Sequence, residues 1–442
     1  MVALTQGGSR PAVGRRPKPR RRTELGLLAM AALVIVAAYL LASLGLSHGL
    51  PPHVVGFLVL ILVLALAAHL ATRRFAPAAN AVVLPVAFLL NGLGWVMIAR
   101  LDSHLAANQA LWSILGVALY VATLAVIRSS RDLERYRYLL ALAGILLLLL
   151  PLAPVIGESI NGARLWVHAG PVSFQPVELA KIALVLFFAS YFVEKRELLA
   201  TPTARIGGRL LPDPRAFGPF LAAFGFCMLA MVAERNVGFA LLIFVIFLAM
   251  LWMAAGRFTY LVLGAALFAL GTFVGAHVFS QVGERISVWL DPWAHATTTG
   301  YQLIQAEYAL GSGGLTGTGL GLGHPGFVPV VYSDFIFTAF GEELGLLGTT
   351  VIVAAFVAMV GAGMRIALRA RSEFAKLAAS GLTTVLGFQA FFIMAGDVRL
   401  LPLTGVTLPF VAYGGSSLVA NYLLLALLVR VSDEGERSDE LR

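Results

Sequence analysis

Long apolar runs dominate the chain, near residues 25–47, 54–72, 81–99, 108–127, 138–156, 177–194, 217–233, 237–255, 259–279, 334–363, 377–396 and 405–430. Most match the ~18–25 residues that a helix needs to cross the hydrocarbon core of a bilayer. Alternating apolar and polar segments, the mark of a membrane barrel, are absent. Lipid leaves helices as the remaining way to satisfy a spanning backbone. The pattern therefore predicts an all-α polytopic membrane protein with about twelve transmembrane helices. Three polar segments stand between the runs, at 157–176, 281–333 and 397–405.

Charge gives the runs an orientation. Arg73 and Arg74, Arg128 to Arg137, Lys195 to Arg209, Arg257, and Arg365 to Arg371 fall in alternate connections, on the same side as the basic N-terminus. Loops rich in Lys and Arg stay cytoplasmic, so both termini are expected inside and all three polar segments outside. The first 22 residues hold seven cations interleaved with Pro11, Pro17 and Pro19. That reads as a disordered tail held by anionic membrane lipids, and no nucleic-acid partner is expected. Composition adds little more. Of 442 residues, 59% are hydrophobic and 12% charged, about half the charged share of a soluble domain. The single cysteine, Cys227, excludes an internal disulfide. The first run is too long for the apolar core of a signal peptide and is kept as a helix.

The outer segments carry the candidate chemistry. Ser333 and Asp334 close the glycine-rich stretch and precede an apolar helix. A capping role would explain both residues. The same place would aim an ionised carboxylate outward, as a general base requires. Glu342 and Glu343 follow roughly 12–14 Å deeper at 1.5 Å per residue, so pairing with Lys181 or lining a polar cavity is the reading that fits them. Glu178 and Lys181 are spaced to pair on one helix face behind Pro176. They form either a self-neutralising structural pair or, with Arg164, positive charge offered to an anionic ligand. Gly414, Gly415 and Ser416 suggest close helix packing or a broken helix lining a cavity. Gly321 to Gly326 satisfies G-x-G-x-x-G, but no strand precedes it, so the match is discarded. Walker A, H-E-x-x-H, C-x-x-C and G-x-S-x-G are all missing, which removes the usual signatures of ATP-driven transport and of zinc or serine hydrolysis.

Four segments in this order resemble the SEDS family of bacterial shape, elongation, division and sporulation proteins. Residues 161–181 look like its NGARRW…QPSEFAK, 300–319 like its GYQ…GSGGL, 333–345 like its TDFIFA..GEELG, and 403–421 like its TG..LPF.SYGGSS. The layout, with Glu234 to Gly238 after the seventh run, is most like actinobacterial RodA-type members. The resemblance implies a ten-helix core with two extra N-terminal helices. The division that follows is a basic tail at 1–24, extra helices at 25–75, a core at 76–431 with an extracellular loop at about 281–333, and a C-terminal tail at 432–442.

It also implies a peptidoglycan glycosyltransferase that polymerises lipid II at the outer face of the bacterial cytoplasmic membrane. The expected partner is a class B penicillin-binding protein. Asp334 becomes the catalytic carboxylate, and Asn161, Arg164, Glu178, Lys181 and Gln302 are the substrate-binding candidates. Glu342, Glu343, Gly414, Gly415 and Ser416 support them. No cofactor is called for, and a divalent cation (magnesium or manganese) between Asp334 and phosphate stays open. A lipid II flippase and a non-catalytic scaffold are the rival functions. The chain departs from the family pattern at Leu165, Val177, Asn236, Val330 and Tyr332.

Overall fold

The structure is a computed structural model describing residues 21–47, 54–154, 156–160, 163–169, 172–200, 204–206, 209–211, 225, 229 and 237–439. The chain begins with α1 (Arg21–Ser47), α2 (Val54–Phe75), α3 (Val83–Leu101) and α4 (Ser103–Val126). Next come α5 (Ser130–Arg135) and α6 (Arg137–Leu149), then α7 (Val177–Glu194) and α8 (Arg196–Ala200). After a gap the helices are α9 (Val237–Ala255), α10 (Phe258–Val278), α11 (Ser280–Leu290) and α12 (Tyr301–Gly313). The last three are α13 (Ile336–Arg369), α14 (Glu373–Asp397) and α15 (Gly415–Asp439). Among the described residues, nine helices are long and apolar enough to cross a membrane. Apart from residues 225 and 229, the run predicted at 217–233, with Cys227, and residues 234–236 lie outside the described residues.

Packing follows membrane rules, with small residues where backbones meet. A Cβ on Gly94 of α3 would lie 2.1 Å from the Val411 carbonyl, and one on Gly116 of α4 would lie 2.5 Å from the Tyr422 ring. Polar groups between helices find each other: Asn91 donates to the Tyr422 hydroxyl at 2.9 Å.

Several expectations are corrected. The run at 405–430 is not helical at its start, because Gly405 and Phe410 adopt positive φ and α15 begins only at Gly415. α15 then continues without a break through 431 to Asp439. Its last turns are anchored, with Asp433 accepting from the Ala78 amide at 2.7 Å and Glu434 from the Ser130 amide at 2.7 Å.

The 157–174 segment also forms an antiparallel sheet of β1 (Gly157–Ile160), β2 (Ala163–Ala169) and β3 (Val172–Phe174). A second hairpin pairs β4 (Ala204–Ile206) with β5 (Arg209–Leu211). The long polar segment is not one uninterrupted loop but carries α11 and α12, and Arg399 pins both to the end of α14. Its guanidinium donates to the Trp289 carbonyl at 2.9 Å, the Leu290 carbonyl at 2.8 Å and Glu307 at 3.0 Å.

Candidate active site

Asp334 sits in the turn before α13. The cap position of that helix is Phe335, and no side chain caps it. The capping role open to Asp334 is therefore not the one realised. The turn is built instead on the Val330 carbonyl, which accepts from the Ser333 amide at 3.1 Å and the Asp334 amide at 3.2 Å. Val330 holds φ at 55°, a costly conformation for a β-branched residue. Asp334 is half-buried, and its carboxylate accepts from the Ser333 hydroxyl at 3.2 Å. Burial pushes its pKa above the ordinary carboxylate range, while the Ser333 bond and the Arg285 guanidinium pull it back.

Arg285, on α11, was not among the sequence candidates. It donates to the Leu403 and Thr404 carbonyls at 3.1 Å each, and burial lowers its pKa against the pull of Asp334 and Glu284. Asp397, the last residue of α14, was also missed. It is fully buried and faces Thr338 and Asp334, and among the described residues neither of its oxygens has a hydrogen-bond partner. The rule that intramembrane carboxylates deserve a functional reading would have flagged Asp397. Nothing local in the sequence points from Arg285 to Asp334.

The segment 403–417, irregular up to Gly414 and then the first turn of α15, frames the site. It holds Arg285 through Leu403 and Thr404. The Tyr413 amide donates to the Tyr332 carbonyl at 2.8 Å, and the two rings meet edge to face at 5.8 Å. Ser416 Oγ accepts from the Gln175 amide at 2.8 Å, tying in the start of α7. Gln389 on α14 donates to the Thr407 carbonyl at 2.9 Å and accepts from Lys181 Nζ at 2.6 Å. Gly415 lies against Trp112, where a Cβ would come within 2.1 Å of the indole, and Gly414 lies beside Thr407 and Ser417. Gly415 is therefore a close-packing position, while Ser416 acts through its hydrogen bond to the Gln175 amide.

Lys181 bonds Glu178 at 2.5 Å, and both side chains are wholly buried. The pair is thus closed on itself in this structure. Arg164 is an exposed residue of β2, Gln302 is half-buried on α12, and Asn161 lies outside the described residues.

Glu342 and Glu343 do not reach Lys181. α13 breaks at Gly345 (φ 65°), and the glycine-rich loop fills the break. The Thr318 and Gly319 amides donate to the Glu342 and Glu343 carbonyls at 2.9 and 3.0 Å. The side chains hold the same loop. Glu343 pairs with Arg100 at 2.5 Å and accepts from the Gly321 amide at 3.1 Å, while Glu342 accepts from the His324 amide at 2.6 Å. The loop thus supplies the partners that two deep carboxylates need. Among the described residues no three His, Cys, Asp or Glu side chains gather as a protein-only metal site. The positive group facing Asp334 is Arg285.

The sequence model of the Cell cycle protein family of FtsW, RodA and SpoVE matches residues 80–437. The chain belongs to this family. Within the FtsW/RodA/SpoVE family it is 42% identical over 429 residues to the peptidoglycan glycosyltransferase RodA of Mycobacterium tuberculosis, covering 95% of this chain and 92% of that one. Its fold matches a chain from a peptidoglycan synthase complex that coordinates polymerization and crosslinking, with TM-score 0.67, 26% identity, and 80% and 98% of the two chains covered. It also matches the rod shape determining protein RodA of Thermus thermophilus, with TM-score 0.58, 26% identity, and 80% and 97% covered. The family's matched region begins after α2.

Proposed function

We propose that this chain polymerises lipid II into glycan at the outer face of the cytoplasmic membrane, with Asp334 as general base. It is a peptidoglycan glycosyltransferase of the RodA kind, in line with the 42% identity to proteins of that name. One structural observation carries the choice of base. Asp334 is a half-buried carboxylate whose one hydrogen-bond partner among the described residues is a neighbouring hydroxyl, at the point where α11, α13, α14 and the 403–417 frame converge.

In the proposed step the acceptor hydroxyl attacks the anomeric carbon of the lipid-linked donor. The bond from that carbon to the pyrophosphate breaks, and the configuration inverts. Asp334 takes the hydroxyl proton. The pyrophosphate leaves as a stable anion, so the site must supply positive charge rather than a strong acid. Arg285 beside Asp334 and the exposed Arg164 of β2 are suited to that task. Gln302 and Asn161 remain substrate-binding candidates. Glu178 and Lys181 act one layer below, fixing Gln389 and through it the Thr407 backbone. Both termini are cytoplasmic, and the working partner is a class B penicillin-binding protein that crosslinks the product.

The test is polymerisation of purified lipid II by the detergent-solubilised protein with such a partner. Glycan strands are expected from the intact chain. Lipid II translocation in liposomes, without polymer and insensitive to Asp334→Asn, would replace this reading with the flippase. A partner transpeptidase stimulated by a chain that makes no polymer would replace it with the scaffold.

A further inference from the structure

The two helices that precede the family's matched region have a task the core fold does not explain. α1 is 27 residues long, about 40 Å at 1.5 Å per residue, and it is fastened along its length. Near one end Glu24 bonds His69 of α2 at 2.8 Å, with both side chains buried. Midway, Ile35 lies against Gly92 of α3, where a Cβ would come within 2.1 Å of the isoleucine. Tyr39, Phe57 of α2 and Trp95 of α3 form an aromatic group with centroids 4.2–5.4 Å apart.

At its other end α1 meets the glycine-rich loop, backbone against backbone. A Cβ on Gly45 would lie 2.2 Å from the Leu320 carbonyl, and one on Gly321 would lie 2.3 Å from the Ala42 carbonyl. Gly321 also needs its positive φ of 81°. The next contacts inward are the Gly321 amide on Glu343 and the Arg100 guanidinium on the Gly323 carbonyl at 2.6 Å. Ala38 and Ala42 of α1 share one small apolar-walled cavity with Arg100, Leu320, Glu343 and Leu344. The loop is therefore gripped between α1 on one side and Arg100, Glu342 and Glu343 on the other. It then leads directly to the Val330 turn that presents Asp334.

We propose that α1 is a positioning element of the polymerase: the Gly45–Gly321 contact seats the glycine-rich loop on Glu343 and so fixes the approach of the chain to Asp334. The positioning claim rests on the glycosyltransferase reading, while the seating of the loop does not. The experiment compares Gly45→Leu with Gly26→Leu, a control in the same helix with nothing within 4 Å of its Cβ position. Hydrogen exchange is followed over residues 314–324, and kcat and KM for lipid II are measured on the full chain with its partner.

For Gly45→Leu, loop amides should exchange at least about tenfold faster. kcat should fall several-fold more than KM changes, and Gly26→Leu should match the wild type in both. A Gly45→Leu protein that exchanges and polymerises like the wild type overturns the proposal.

Should Gly45→Leu fail to fold, Ala42→Cys with Leu320→Cys in a Cys227→Ala background tests the same contact. Efficient crosslinking with polymerisation retained is expected. Failure to crosslink, or loss of activity on crosslinking, overturns the proposal. If the wild type makes no glycan at all, the glycosyltransferase reading fails while the exchange arm still decides whether α1 seats the loop.

Discussion

Asp334 and Glu343 stand close together in the sequence, on either side of the first turns of α13, yet they end in opposite states. Glu343 is fully buried and committed, with Arg100 on one oxygen and the Gly321 amide on the other. Asp334 keeps partial exposure and, among the described residues, a single hydroxyl partner, with Arg285 facing it. Glu178 sides with Glu343, closed against Lys181 and out of reach of solvent. The contrast separates two kinds of carboxylate. A carboxylate whose neighbours satisfy it holds the fold together. One whose neighbours hold it ionisable and leave it reachable is free to take a proton.

The contrast makes the committed carboxylates sensitive in stability. The largest loss is expected from Lys181→Met, which strands Glu178 in a buried site at a cost of about 3–5 kcal/mol. Thermal unfolding in detergent should show it, and adding Glu178→Met should recover most of it. A Lys181→Met protein of wild-type stability would mean that the pair is not closed.

Next is Glu343→Gln, which removes charge from the Arg100 contact and should cost about 1–3 kcal/mol. Its mark is faster hydrogen exchange at Gly319 and Gly321 with kcat less affected than stability. A chemical defect without loosening of the loop would move Glu343 to the side of Asp334.

Arg285→Gln should leave the fold largely intact and change the pH profile. Arg285 holds the Asp334 pKa down against burial. The activity that depends on ionised Asp334 is present above its pKa and lost as pH falls through it. Removing the cation raises that pKa, so the acid limb of kcat should move to higher pH; a limb that stays put or moves down would detach Arg285 from Asp334. Smallest is Arg164→Ala, an exposed charge worth up to about 1 kcal/mol, expected to raise KM for lipid II a few-fold without changing Tm.

Much of the fold was legible because lipid enforces continuous helices, so apolar run lengths map onto spans. The 405–414 stretch misled because it is as apolar as a span, while its Gly405 and Phe410 conformations break the helix. The sheet at 157–174 escaped because its strands are only 3–7 residues long. Asp334 could be singled out as a candidate from its place before an apolar helix and from the family resemblance. Its environment could not be, since Arg285 and Asp397 arrive from α11 and α14 by packing alone. Glu342 and Glu343 were read as pairing with Lys181, but their partners are Arg100 and the glycine loop, because the break at Gly345 lets that loop reach them from the same segment of chain.

The central claim is that Asp334 does chemistry while its neighbours on α13 hold structure. The direct measurement is lipid II polymerisation by Asp334→Asn and Glu342→Gln, each alongside its Tm. The predicted result is that Asp334→Asn loses at least ~100-fold in kcat at unchanged Tm, while Glu342→Gln loses stability first and keeps its chemistry. Polymerisation by Asp334→Asn at the wild-type rate would contradict the account.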